Sequence, residues 1–153
     1  MLDKIQIKGQ IVTIDAMGRQ TAIAEKIKKK RADYVLALKK NQNCMYEEVR
    51  EYFSDEEFLK VIQNEGNYRK TQEKAHGQIE IREYYQTEDI KWLNQKKNWK
   101  GLKSIVMEKK TIKKEEGEIK EYRYFISSLK ANLKRALEKE NRKIIIHAFV
   151  VVK

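Results

Sequence analysis

Asp15 is the residue best placed to hold a divalent cation, because it directly follows the short β-branched run IVTI at 11–14. Open α/β sheets hold their functional groups at the carboxyl ends of strands, and a carboxylate here would lie at such an end. Two-ion phosphoryl transfer needs several oxygen ligands around Mg²⁺ or Mn²⁺, so one aspartate alone makes no nuclease site. The alternative is that Asp15 caps the following helix or braces the turn.

A polar turn after the next apolar run offers donors for a phosphate. If the two strands are parallel, this turn lies at the same sheet edge as Asp15, so its ammonium and amide groups would face a bound phosphate. The alternative is a solvated turn of a basic protein. The residues of this turn are Lys39, Lys40, Asn41 and Gln42.

A third candidate cluster surrounds Gly77, where His76, Glu80 and Arg82 bring an imidazole, a carboxylate and a guanidinium together. Such a set could bind a phosphate or a metal ion. The alternative is a turn followed by a half-exposed strand. The second histidine, His147, lies in an apolar segment without a carboxylate or histidine nearby in sequence, and we interpret it as structural or incidental.

A βαβ unit would position the first two candidates. The pattern predicts a strand at about 10–15, an amphipathic helix at about 19–31 and a buried strand at 34–38. Strand, helix and strand in this order favour a parallel pair. A helix from residue 43 follows, and Ser54 with Glu57 forms a capping box that opens a second short helix.

Beyond Gly66 the periodicity changes to that of strands. Residues 77–85 alternate, with Ile79, Ile81 and Tyr85 on one face, and residues 102–108 and 119–126 form a hairpin. A last helix is predicted near 131–137. The apolar run at 144–152 is either a strand that pairs with the sheet or an aggregation-prone segment.

Composition limits the class of protein. The 153 residues carry a net charge of +11, which favours polyanionic partners, with nucleic acid ahead of a membrane surface. One cysteine excludes an internal disulfide, and no apolar run approaches the ~20 residues of a membrane span. We therefore expect a cytoplasmic protein. The aromatic residues at 84–125 interleave with Lys and Arg, a mixture that suits base stacking, although such residues more often form a core.

Several blocks resemble, in order and spacing, the H-repeat-associated branch of insertion-sequence transposases. The resemblance runs from about residue 2 to 133. The blocks are QIVTIDAMGRQ at 10–20, IAEKI at 23–27, DYVLALK at 33–39, Asn41 with Gln42, EEV at 47–49 and HGQIEIR at 76–82.

The resemblance implies an RNase H-like core that cuts and rejoins transposon DNA ends with two Mg²⁺ or Mn²⁺ ions held by an Asp, Asp, Glu set. It divides the chain into a partial core at 1–63, a β-rich insertion at 64–128, and a C-terminal helix with a divergent apolar tail at 129–153. The expected class is thus an α/β, partial RNase H-like βαβ core, α+β overall. DNA-facing residues would be Lys39, Lys40, Asn41, Gln42, His76 and Arg82.

Departures from the family pattern lower the expected activity. Asp15 matches the family's second aspartate. The family's first aspartate belongs to an Asp-Gly-Lys segment well upstream of the second, and only 14 residues precede Asp15 in this sequence. The third belongs to a His-Trp-Gly-Ile-Glu run, and this sequence diverges after about residue 135. Glu80 is a poor substitute because it belongs to the insertion. We expect a truncated copy, inactive alone, which binds transposon terminal repeats. The alternative is a non-catalytic fragment that binds DNA, itself or a full-length transposase.

Overall fold

A computed structural model describes residues 6–14, 20–40, 43–131 and 144–146 of the chain. These residues form an α+β fold in which one mixed sheet packs against α-helices through a common apolar core. The elements, in chain order, are β1 (Ile11–Ile14), α1 (Gln20–Lys29), β2 (Asp33–Ala37), α2 (Asn43–Phe53), α3 (Glu56–Asn64), β3 (Tyr68–Ala75), β4 (Gln78–Thr87), a short 3₁₀ helix (Lys96–Asn98), β5 (Ser104–Lys114), β6 (Gly117–Ser127) and β7 (Ile144–Ile146).

The predicted βαβ unit is confirmed. Strands β1 and β2 are parallel, with Ile14 beside Leu36, and α1 connects them. Among the described residues, β1 and α1 are slightly shorter than predicted, whereas β2 has the predicted length and begins one residue earlier. The chain leaves α1 through Arg31, which adopts a left-handed φ of 58°, and then enters β2.

Helices α2 and α3 form by burying one face each. Met45, Val49 and Phe53 of α2 are buried at helical spacing. The predicted cap of α3 is wrong by one residue. Asp55 is the N-cap and accepts from the backbone N–H of Glu57 at 2.9 Å, whereas the Ser54 hydroxyl donates to a main-chain oxygen of α2.

Two long antiparallel hairpins follow, β3–β4 and β5–β6. The predicted strands at 77–85, 102–108 and 119–126 are confirmed, and they are longer than predicted. Strand β3 was not predicted because YRKTQEKA has no apolar alternation. The turn that follows β3 accounts for the hairpin. His76 and Gly77 have φ of 52° and 73°, the two positive values that a type I′ hairpin turn requires.

The sheet has the order β3-β4-β5-β6-β2-β1-β7 among the described strands. Strand β6 pairs antiparallel with β2, so strands from the predicted core and the predicted insertion share one sheet. The division at residues 63 and 128 stays a prediction. Strand β7 pairs parallel with β1, as expected for the start of the apolar run. The predicted helix at 131–137, apart from Ala131, and His147 lie outside the described residues.

Candidate nucleic-acid interface

The carboxyl ends of β1 and β2 lie at the same edge of the sheet. Strand β2 continues into Leu38, which is buried and donates its backbone N–H to the main-chain oxygen of Tyr124 at 2.8 Å. Lys39 is half-buried and Lys40 is exposed. Asp15, Asn41 and Gln42 lie outside the described residues. The turn was predicted to lie at the edge of Asp15 on the condition that the two strands are parallel, and β1 and β2 are parallel.

The hairpins extend well past this edge. One row of paired residues crosses the sheet at the ends of β1 and β2, and all its members are buried. Because β6 runs antiparallel to β2, residues 107–124 continue beyond the row, and β4 continues with them. The row consists of Ile14, Leu36, Ile126, Ile105 and Thr87.

Glu80 and Arg82 lie far along β4 from that row. Glu80 is seven residues before Thr87, roughly 23 Å along an extended strand, and Arg82 is roughly 17 Å away. In addition, β4 is separated from β1 by three intervening strands. His76 is further still, in the exposed turn that precedes β4. The structure does not bring these three side chains to the end of β1.

Glu80 takes part in an ion-pair cluster on one face of the hairpins. Its carboxylate oxygens lie 3.3 Å from Arg82 Nη1 and 3.8 Å from Lys110 Nζ, and Gln78 Nε2 donates to it at 3.4 Å. These partners give Glu80 and Arg82 an electrostatic role within the sheet. Among the residues that the structure describes, no three His, Cys, Asp or Glu side chains come together as metal ligands. These residues alone do not fit a Mg²⁺ or Mn²⁺ cage.

Acidic groups beside tyrosines mark the base of the hairpins. The hydroxyls of Tyr68 and Tyr85 donate to Glu83 Oε2 at 2.7 and 3.4 Å. Burial, with the neighbouring Glu83 carboxylate, raises the pKa of Tyr85 to about 12. Burial beside Glu108 likewise raises the pKa of Tyr84 to about 12. These phenols stay neutral and serve as hydrogen-bond donors.

Most aromatic side chains of the hairpin region belong to the core. Tyr85, Trp99 and Tyr124 are buried, which was the alternative to base stacking. Tyr122 is exposed at 46%. The structure also folds residues 88–103 over the core through Ile90, Leu93, Trp99 and Leu102. No element was predicted for residues 88–101, and residues 102 and 103, predicted to begin a strand, precede β5.

Two exposed basic segments meet at the opposite edge of the sheet, a feature that sequence reasoning missed. One is the end of α1 and the other is residues 96–103. The signal in the sequence was the lysine content of both, but only the fold of 88–103 brings them together. In the described part of the chain, no helix has the length and apolar character that crossing a membrane requires.

Fold and charge thus define an α+β protein with basic surfaces that suit a polyanion. The chain is 37% identical over 135 residues to "Putative transposase YncI" of Escherichia coli O157:H7, an alignment that covers 84% of this chain and 33% of that protein. It is 37% identical over 107 residues to "H repeat-associated putative transposase YhhI" of Escherichia coli (strain K12), which covers 69% of this chain and 27% of that protein.

A third relative is "Uncharacterized protein in dhlA 3'region" of Xanthobacter autotrophicus, 36% identical over 70% of this chain and 35% of that protein. The chain spans about a third of the length of these curated relatives. No protein-family model matches the chain, and no solved structure matches it either. The chain belongs to the H repeat-associated transposases.

Proposed function

We propose that the chain is a segment of a DDE-type, RNase H-like transposase of an insertion sequence, in which Asp15 supplies the middle carboxylate of the cation site. The observation that carries this proposal is the parallel β1–β2 pair joined by α1, which ends both strands at one edge. Ligands of open α/β sheets bind outside the carboxyl ends of such strands. Asp15 follows β1 directly in the sequence.

The same edge supplies donors for DNA. Lys39 and Lys40 leave β2 there, followed in sequence by Asn41 and Gln42. Their ammonium and amide groups are of the types that contact phosphate oxygens. His76 and Arg82 would contact DNA that runs along the projecting hairpins, since both lie beyond the strand-end row. The DNA is expected to be the terminal repeats of the element.

Intact relatives are expected to use Mg²⁺ or Mn²⁺ for strand cleavage and transfer. Asp15 is the one residue of this sequence that matches the proposed acid set. Glu80 fits that set poorly, because it pairs with Arg82 and Lys110 at a distance from β1. We therefore expect the 153-residue chain to cleave no DNA by itself.

A nicking assay tests this expectation. The chain is incubated with Mg²⁺ or Mn²⁺ and DNA that carries its cognate terminal repeats, beside Asp15→Ala. We expect both proteins to give the same background. Strand cleavage that Asp15→Ala abolishes would overturn the inactive state of the segment.

A chimera tests the role of Asp15 directly. This chain replaces the matching region of a full-length relative that transposes, and transposition frequency is counted in cells. Asp15→Asn should abolish transposition. The matched control is Glu115→Gln, which also removes one carboxylate but lies exposed in the β5–β6 turn, and it should leave the frequency unchanged. If Asp15→Asn transposes normally, Asp15 is no metal ligand.

A second candidate function is a non-catalytic module that binds DNA or regulates a full-length transposase, and the net charge of +11 favours it. Electrophoretic mobility across a salt series distinguishes it from a chain without DNA affinity. Contacts to phosphates should make the affinity fall steeply as salt rises. Co-purification with a full-length relative from the cytoplasm tests the regulatory form.

A further inference from the structure

Basic side chains are concentrated at the edge of the sheet opposite the edge of the proposed metal site. Five of the six residues at 26–31 are Lys or Arg. Helix α1 runs back across the sheet, so these residues lie where β1 and β2 begin. Hydrogen bonds fix the position: Gly9 N–H donates to the Arg31 oxygen at 2.9 Å, and Asp33 N–H donates to the Gln10 oxygen at 2.9 Å.

A second basic segment packs beside the first. Residues 91–103 contain five lysines and no acidic residue. Gly101, with φ of 74°, lies against Lys28 so closely that a Cβ at Gly101 would come within 3.1 Å of Lys28 Cε. Tyr34 Oη holds the same segment through the Lys100 oxygen at 2.9 Å. We call residues 26–31 and 96–103 together the basic platform.

The platform presents its charges to solvent on a rigid base. Trp99 and Leu102 are buried in the core and anchor the segment, while the neighbouring Lys96, Lys97 and Lys100 are exposed. Two shallow depressions of about 360 and 430 Å³ open on the platform, the first lined by residues 29–31 and the second by residues 96–97 and 99–101. Such depressions could seat phosphate groups.

Some platform side chains form ion pairs with acidic residues in the described part of the chain. Lys28 pairs with Asp33 at 2.9 Å, and Lys29 lies 3.5 Å from Glu25. Within the described ranges, no ion pair is formed by the side chains of Lys96, Lys97, Lys100 or Lys103.

Helix stability explains the lysines of α1 but not those of the second segment. Cations in the last turn of a helix interact favourably with its dipole. Residues 99–103 belong to no helix, and the 3₁₀ helix before them has three residues. Repulsion among neighbouring exposed lysines opposes folding, so their accumulation needs another explanation, and a polyanion that neutralises them provides one.

We propose that the basic platform binds the phosphate backbone of a second stretch of duplex DNA, apart from the stretch at the edge where β1 and β2 end. The inference rests on the proposed function for the choice of DNA as the polyanion. Arg31 and Lys39 lie on either side of β2, eight residues apart and roughly 26 Å along an extended chain, so contacts at one edge do not require contacts at the other.

Fluorescence anisotropy with a labelled duplex of arbitrary sequence, in a series of KCl concentrations, tests the proposal. The platform variant carries Lys96→Gln, Lys97→Gln and Lys100→Gln. The matched control carries Arg50→Gln, Lys60→Gln and Lys91→Gln, which remove the same charge from exposed positions outside both the platform and the projecting hairpins. All six side chains are exposed, and circular dichroism should confirm that both variants fold.

We expect the platform variant to bind at least ~10-fold more weakly at 0.1 M KCl, and the control to change by less than ~3-fold. The slope of log K against log salt should become shallower by about 2–3 in the platform variant, because each lost phosphate contact releases about one condensed counterion fewer. Titration of the protein with a short duplex, up to saturation with the duplex, should give two bound duplexes per unmodified chain and one per chain of the platform variant.

Several results would overturn the proposal. Equal losses in the platform variant and the control would show that net charge alone sets the affinity. Affinity for vesicles of anionic lipid that the platform variant loses, with DNA affinity unchanged, would assign the platform to a membrane surface. Absence of any DNA binding by the unmodified chain would refute the DNA partner and the inference together. If the unmodified chain binds DNA and the platform variant binds it equally well, the inference alone is refuted.

Discussion

Tyr34 donates a hydrogen bond of 2.9 Å from its side-chain oxygen to the main-chain oxygen of Lys100, 66 residues further along the chain. Tyr34 is fully buried in β2, and burial, together with the neighbouring Asp33, raises the pKa of its phenol above the ordinary value. The bond connects the first strands of the sheet with the segment that carries the lysines of the basic platform. One buried residue therefore supports both the core and an exposed surface.

Replacement of Tyr34 by Phe should lower the free energy of unfolding by about 1 kcal/mol, because the Lys100 oxygen loses its donor while the ring still fills the core. Urea denaturation followed by circular dichroism measures the change. The control is Tyr122→Phe at a 46% exposed residue, which should alter stability by less than ~0.5 kcal/mol. Equal effects of the two substitutions would mean that the Tyr34 hydroxyl contributes nothing specific.

Alkaline pH should destabilise the fold through its buried tyrosines. Burial raises the pKa of Tyr84, Tyr85 and Tyr124 from 10.0 to about 12. Between these values the unfolded chain loses protons that the folded chain retains, so the stability falls as pH rises from about 10 to about 12. Below about pH 9 these groups contribute no pH dependence.

Urea midpoints measured at pH 9, 10 and 11 test this prediction. The midpoint should decrease between pH 10 and pH 11. Tyr84→Phe removes one of the titrating groups, so its stability should depend less steeply on pH in that range. A midpoint that is constant up to pH 11 would contradict the burial of these phenols.

The sequence predicts those elements that have their own pattern. The apolar runs of β1 and β2 and the amphipathic α1 between them specify a βαβ unit, in which the helix returns the chain across the sheet so that the two strands run parallel. Strand β3 has no such pattern and depends on its turn and on pairing with β4. The N-cap of α3 is Asp55 and not the predicted Ser54, because two residues of types that cap helices are adjacent in the sequence.

The surfaces are harder to predict than the elements. The lysines at 26–31 and 96–103 are visible in the sequence, but a segment without secondary structure brings them together, and its buried Trp99 and Leu102 follow no period. Likewise, Glu80 and Arg82 share a sequence block with His76, yet β4 carries them away from the strand ends. Local spacing does not determine such long-range distances.

Tyr52 lies between two other rings, and its replacement should weaken the contact of α2 with α3. Its ring centroid is 4.6 Å from that of Phe58 and 5.1 Å from that of Trp92, with interplanar angles of 13° and 9°. Tyr52→Leu should lower the free energy of unfolding by about 1–3 kcal/mol, since both ring pairs are lost. Urea denaturation measures this change.

The control for the stack is Tyr52→Phe. It keeps both ring contacts and removes the hydroxyl, which donates an exposed hydrogen bond of 3.3 Å to Asp89. Its cost should stay below about 1 kcal/mol. If Tyr52→Phe is as destabilising as Tyr52→Leu, the hydroxyl rather than the stack holds this region together.

Removal of β7 should make the protein self-associate. Strand β7 pairs with the outer edge of β1, at Ile11, Val12 and Thr13. Deletion of residues 144–153 would expose the backbone donors and acceptors of that edge, and an open apolar edge is a template for pairing with another chain. Sedimentation velocity should show larger species than those of the full chain. The matched control deletes residues 147–153 and keeps β7, and it should sediment like the full chain. If instead the longer deletion reduces association, the apolar run is itself the source of aggregation and does not protect β1.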